Sequence, residues 1–342
     1  MESDFLKVPV RPIEIDPEAG ISRLLKGMGK TAFQARNLSI AFDIWKEMLE
    51  DEVTIFFGFA GAMIPAGMRK LMVWLIENRA IDCLVSTGAN LFHDIYETLG
   101  RCHWQGSPKV DDLKLKDEGI DRIYDVLAPE EEFIATDHYI VDFASKLDPS
   151  VAYTTRQFLY LLGGVLSGEL RGSDSSDREG VMTSAYRARV PIYCPAIGDS
   201  AIGIALADTN LKLMFDVVGD VRETAQMVIG SKATGVIYIG GGTPKNFIQQ
   251  TEVTASLIRK KGSVGHKYAI QIITEPPHWG GLSGCTFEEA QSWGKIARKA
   301  RKVTVYSDAT IALPLLVNAL ASDCRDSLKR RTLPRLKVME VK

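Results

Sequence analysis

Seven short apolar runs decide what this chain can fold into. Val53–Phe57, Ile81–Val85, Val190–Cys194, Leu211–Val217, Thr234–Ile239, Tyr268–Ile273 and Val303–Tyr306 are almost free of charge. Most are followed by a loop rich in glycine or proline and then by a stretch with helical spacing. Continuous apolar strands alternating with amphipathic helices predict a parallel sheet covered on both faces. The helices are expected over Thr31–Glu50, Ala66–Arg79, from about Leu91, Glu131–Lys146, Val151–Leu166, Val221–Ile229, from Pro244, from Thr286 and over Ile311–Asp323. Residues 101–130 break the rhythm as an excursion, and 167–180 read as a loop where disorder is expected. The predicted class is α/β: a single doubly wound, mostly parallel sheet of about seven strands with helices on both faces, Rossmann-like. The expected division is an N-terminal arm and helix (1–50), a catalytic domain (51–326) and a C-terminal tail (327–342). Pro9, Pro12 and Pro17 keep the start of the arm extended.

Charge and cysteine usage exclude several classes of function. A net charge of −2 with 25% charged residues, mixed along the chain, carries no nucleic-acid footprint. The five cysteines are scattered without C-x-x-C spacing, which argues against a zinc site or a disulfide framework and for a reducing compartment. With neither a signal-peptide core nor an apolar run of about 18 residues, the expectation is a soluble cytoplasmic protein.

In open parallel sheets, ligands gather at the carboxyl ends of strands. The loops expected there are G-F-A-G-A-M-I-P, S-T-G-A-N, P-A-I-G-D-S, G-G-G-T-P-K-N and S-D-A-T. Small residues let backbone approach a phosphorylated ligand, and a helix start such as Thr243–Pro244 offers N–H groups to phosphate. Asp199 and Asp308 are suited to ribose hydroxyls. No loop is G-x-G-x-x-G, so the residues alone indicate a nucleotide-binding α/β enzyme and no particular dinucleotide.

Lys295 stands in S-W-G-K-I, near the end of the helix expected from Thr286. A lysine held against aromatic and apolar walls loses hydration and becomes a nucleophile; a solvated helix lysine is the plain alternative. Thr286 and Glu289 have the spacing of a capping box, while Glu289 and Trp293, four apart, share a face that would seat a cationic amine. On a regular helix Lys295 lies about 200° round from Trp293, so one pocket requires a bend at Gly294.

S-W-G-K-I, V-T-V-Y-S-D-A-T, P-A-I-G-D, S-T-G and the triple glycine followed by Lys245 together resemble the deoxyhypusine synthase family, over roughly Val53–Gly100 and Val190–Leu320. The resemblance implies an NAD-dependent transferase. An aminobutyl group leaves spermidine or a similar polyamine, joins a lysine as an imine and passes to an acceptor amine. That acceptor is a protein lysine or, as in homospermidine synthases, putrescine. It implies a homotetramer with sites between paired subunits. Position by position, Lys295 matches the imine-forming lysine, and Glu289 and Trp293 the polyamine tunnel, with Gly241 and Asn246 on the substrate side. Gly61, Ala62, Met63, Thr87, Gly88, His93, Asp199, Thr274, Asp308 and Ala309 fall on the NAD side. Asn246 stands where the family has a histidine, Ile204 and Leu282 where it has donor-gripping carboxylates, and His93 where it has a glutamate. An apolar side chain cannot hold an ammonium and an asparagine cannot act as a base. These departures resemble the divergent deoxyhypusine synthase-like branch, and leave a catalytically silent NAD- or polyamine-binding protein as the alternative.

Overall fold

The computed structural model describes residues 6–170 and 176–339. Its centre is a six-stranded sheet of β1 (Thr54–Phe59), β2 (Cys83–Ser86), β3 (Ile192–Tyr193), β4 (Thr234–Ile239), β5 (His266–Ile273) and β6 (Ile296–Tyr306). The spatial order is β3-β2-β1-β4-β5-β6, and every neighbouring pair is parallel. That order belongs to a doubly wound sheet whose direction of winding reverses between β1 and β4, and the crevice at such a reversal is where ligands bind.

Seven helices position the site: α1 (Phe33–Glu50), α2 (Arg69–Glu77), α3 (Gly88–Thr98), α4 (Val217–Gly230), α5 (Gly242–Arg259), α6 (Phe287–Ser292) and α7 (Ala309–Asp323). One apolar core, with Phe42, Trp45, Ile55, Phe57, Leu91, Ile270 and Leu316, joins α1, α2, α3 and α7 to one face of the sheet. A second core, with Phe56, Tyr238, Ile248, Ala269 and Phe287, joins α4, α5 and α6 to the other. The alternation of side chains along β1, Phe56 one way and Phe57 the other, is what feeds both cores.

The sheet has six strands rather than seven because Leu211–Val217 does not enter it. Only Met214–Phe215 is extended, pairing with Ala152–Tyr153 in a separate two-stranded sheet. The Asp216 side chain accepts from the amide of Gly219 and starts α4 there, four residues ahead of the expected Val221. The excursion at 101–130 holds a small antiparallel sheet of Trp104–Gln105, Ile120–Ile123 and Val126–Pro129. Of the loop expected at 167–180, the first residues extend the helix Thr155–Glu169 and Ser176–Arg178 form a single turn; 171–175 lie outside the described residues. Beyond the described Leu6, the N-terminal arm runs without helix or strand to the short helix Ile21–Met28. Among the described residues no helix is long and apolar enough to cross a membrane.

Candidate active site

The register places Phe59, Ser86, Ile239, Ile273 and Tyr306 along one edge of the sheet, so the loops beyond them form one rim. This rim collects most positions expected to hold the nucleotide: Gly61–Met63 after β1, Thr87 and Gly88 at the start of α3, Asp199 beyond β3, Thr274 after β5, and Asp308 and Ala309 at the start of α7. The residue that fastens it was missed in the sequence. Asn90 accepts from the amides of Met63 (2.8 Å) and Ile64 (3.2 Å) and donates to the Phe59 carbonyl (3.2 Å) and the Thr87 hydroxyl (3.1 Å). Its only signal was its place at the end of S-T-G-A-N. The Thr87 hydroxyl donates to the Gly61 carbonyl, so no side chain caps α3 and its first amides stay open beside the rim. Such a rim of small residues with an uncapped helix start suits a dinucleotide phosphate. Asp308 is exposed and caps α7, one carboxylate oxygen accepting from the amide (2.7 Å) and hydroxyl (2.6 Å) of Thr310.

His93 is drawn away from that rim. Its Nδ1 meets Nε2 of His103 at 2.9 Å, and His103 Nδ1 meets Glu97 at 2.8 Å. Burial, then the neighbouring His103, depress the His93 pKa from 6.5 to about 3. A neutral imidazole in a histidine pair therefore stands where a charged side chain was expected.

Lys295 lies at the opposite end of β6. Its carbonyl accepts from the His266 amide at 3.0 Å, and Ile296 pairs with His266, so Lys295 sits at the amino edge of the sheet. The eight-residue β5 alongside it separates the two edges by roughly 23 Å at about 3.3 Å per residue. Lys295 is not on a helix. α6 ends at Ser292, and Gly294 takes φ +69°, a left-handed turn that a side chain would strain. This turn swings the amine back over the Trp293 ring, 5.6 Å from its centroid, removing the 200° separation expected on a continuous helix. The Lys295 side chain is buried (8% exposed), and among the described residues no group accepts a hydrogen bond from its amine.

Glu289 and Trp293 are exposed beside it. Half of the expected capping box is made: the Thr286 hydroxyl accepts from the Glu289 amide at 3.1 Å, and the Glu289 carboxylate is left to act on its surroundings. One of the groups that feels it is Lys245, which the sequence reading noticed only as a motif letter. Lys245 is 1% exposed, and burial pulls its pKa from 10.5 down to about 8. The nearby charges of Cys285, Glu289, Glu275 and Lys295 act on it after that, the first three upward and Lys295 downward. Polar residues at 245, 249 and 252, a helical spacing on the buried side of α5, were the available signal.

Two other expectations are corrected by position. Gly241, not Thr243, is the capping residue of α5, which begins at Gly242. Asn246 does not converge on Lys295 within the protomer; it lines a cavity of about 170 Å³ with Val221, Thr224 and Phe247 between α4 and α5. Ile204 and Leu282 are exposed apolar side chains.

Comparison with known proteins shows the family of the chain. The family model described as deoxyhypusine synthase matches residues 23–320. The protein of Archaeoglobus fulgidus named Probable deoxyhypusine synthase 2 is 53% identical over 86% of this chain and 95% of its own length. The same organism's Probable deoxyhypusine synthase 1 is 40% identical over 92% of this chain and 98% of its own length. A crystal structure assigned as a deoxyhypusine synthase of Entamoeba histolytica superposes with a TM-score of 0.65 at 21% identity, covering 95% of this chain and all of that one, which is a likeness of fold.

Proposed function

Because the chain belongs to the deoxyhypusine synthase family, we propose that it transfers an aminobutyl group from spermidine or a similar polyamine to an acceptor amine through an imine on Lys295. One observation carries the proposal: the amine of a largely buried lysine lies over the Trp293 ring, and among the described residues no hydrogen-bond acceptor occupies it. An amine not tied up in hydrogen bonds is free to take part in carbonyl or iminium chemistry.

The residues divide the work. Trp293 offers a ring face to the cationic polyamine, and the Glu289 carboxylate beside it attracts an ammonium. Gly61–Met63, Thr87, Gly88, Asp199, Asp308 and Ala309 would hold NAD. Held there, NAD would supply hydride-transfer chemistry to the amine carbon. Lys295 takes up the oxidised aminobutyl carbon, releases the departing amine and passes the carbon to the acceptor.

Lys295 and Asp308 terminate opposite ends of one strand, so a nucleotide beside Lys295 is best supplied by a second copy of the chain. A homotetramer with shared sites accounts for this. Mixing a Lys295→Ala chain with an Asp308→Ala chain should then restore activity that neither has alone.

The acceptor is a protein lysine or a diamine such as putrescine. Two relatives of different number in one organism, with this chain nearer to number 2, favour a specialised acceptor. The silent alternative draws on Asn246, which meets nothing that could make it a proton carrier. Incubation with NAD, spermidine and borohydride, followed by peptide mass analysis, decides between them. An aminobutyl adduct on Lys295 is expected. An unmodified lysine at saturating donor, with NAD bound, overturns the transferase and leaves a binding protein.

A further inference from the structure

Lys245 follows the triple glycine, yet its side chain takes no part in any step assigned above. It is buried between α5 and the sheet, and its ammonium donates to Gln271 Oε1 (3.0 Å), the Ser283 carbonyl (2.8 Å) and the Cys285 carbonyl (2.7 Å). Three donors meet three acceptors, so the ammonium is fully used. Gln271 extends the knot from the sheet, its Nε2 donating to the carbonyls of Gly240 and Ser283, both at 2.9 Å. The Ser283 hydroxyl in turn accepts from the Gly242 amide at 2.9 Å. Gly241 packs so closely that a Cβ there would lie 2.5 Å from the Ser283 Cα, and this contact is why the middle position of the triplet must be glycine.

We propose that Lys245 is the positioning residue of the pocket: its ammonium fastens the glycine turn at Gly240–Gly242 to the Ser283–Cys285 turn. Through that turn it fixes where Glu289 and Trp293 stand beside Lys295. The connection is short. Thr286 follows Cys285 directly and caps α6 at the Glu289 amide, so displacement of the turn moves the helix start and its carboxylate together. The Ser283 and Cys285 carbonyls both face the Lys245 ammonium, and a lysine reaching across from α5 supplies a donor to each at once. The role also sets Lys245 apart from Lys295, since its amine is held by three acceptors within the knot.

The assignment of a pocket rests on the Lys295 proposal; the knot itself does not, and the test separates them. In the full chain, Lys245→Met is compared with the unsubstituted protein for adduct formation on Lys295 with NAD, spermidine and borohydride. The half-saturating spermidine concentration should rise about tenfold while the limiting rate falls by less than about threefold. A fold that is merely weakened would lower the limiting rate and leave half-saturation unchanged. Hydrogen exchange at neutral pH gives a second measure. The Gly242 and Glu289 amides should lose about tenfold or more of their protection in Lys245→Met relative to the unsubstituted protein, while amides of β1 keep theirs. Unchanged half-saturation in Lys245→Met, unchanged protection of those two amides, or an adduct on Lys245 itself would each overturn the proposal. Absence of any adduct on unsubstituted Lys295 defeats the transferase instead, and the exchange measurement still decides the brace.

Discussion

Two buried lysines, one in the first turn of α5 and one three residues past the end of α6, behave in opposite ways. Lys245 gives all three of its hydrogens to oxygen atoms and ties two turns together. Lys295 gives none, and rests on an indole ring at the mouth of a strand. Burial is therefore not what marks a reactive lysine, because both have it. The difference lies in the partners: three acceptors convert a buried ammonium into a brace, whereas an aromatic wall without acceptors leaves the amine available. The surroundings enforce the contrast. Lys245 reaches inward from a helix onto Gln271 and the Ser283 and Cys285 carbonyls, while Lys295 emerges from a left-handed turn at Gly294 with its backbone bonded to Ala290 and His266 and its amine over the Trp293 ring.

The largest test of this contrast is chemical. Lys295→Ala should lower turnover and adduct formation by roughly a thousandfold or more, the size expected when a covalent nucleophile is lost, while Lys245→Met keeps its limiting rate within about threefold. Stability should rank the two lysines the other way. Lys245→Met strips donors from two buried carbonyls and an amide oxygen and should cost roughly 2–4 kcal/mol in urea unfolding. Lys295→Met removes no hydrogen bond and should stay within about 1 kcal/mol of the parent. Equal losses would erase the distinction.

Titration sharpens it further. In the folded chain Lys245 releases its proton near pH 8 because the cost of a buried charge outweighs the third bond; in the unfolded chain it does so near 10.5. Between those values the unfolded state binds more protons, so stability should rise with pH across the window, by at most about 3 kcal/mol. Below pH 8 both states are protonated and this contribution is flat. The rise should be missing from Lys245→Met. The smallest effect is expected at the ring: Trp293→Leu, which keeps an apolar wall without a π face, should weaken spermidine binding by about two- to fivefold, in line with roughly 0.5–1 kcal/mol for an exposed cation–π contact. No change would reduce Trp293 to a lid.

The strands on either side of the winding reversal were legible because buried parallel strands must be apolar without interruption, a pattern that survives without knowledge of partners. β1, β2, β4 and β5 fall within a residue or two of their apolar runs or inside a slightly longer observed span. Leu211–Val217, apolar apart from Lys212 and Asp216, failed, since two residues pairing with Ala152–Tyr153 and a cap from Asp216 compete successfully with entry into the sheet. The rim residues were readable as small residues after strands, but Asn90 was not, because a side chain that bonds four groups from three segments leaves no mark on its own neighbours.

The sequence by itself determined the layered α/β architecture, the glycine-lined rim and the presence of a lysine beside a tryptophan, all of which depend on local composition and period. Only the tertiary structure decided that Lys295 opens a strand rather than closing a helix, that it stands an entire strand away from Asp308, and that Lys245 is the occupied lysine of the pair. Those outcomes depend on φ at one glycine, on register between strands and on which carbonyls face the Lys245 ammonium. Each is a relation between segments distant in the chain, and hydrophobic pattern carries no information about it.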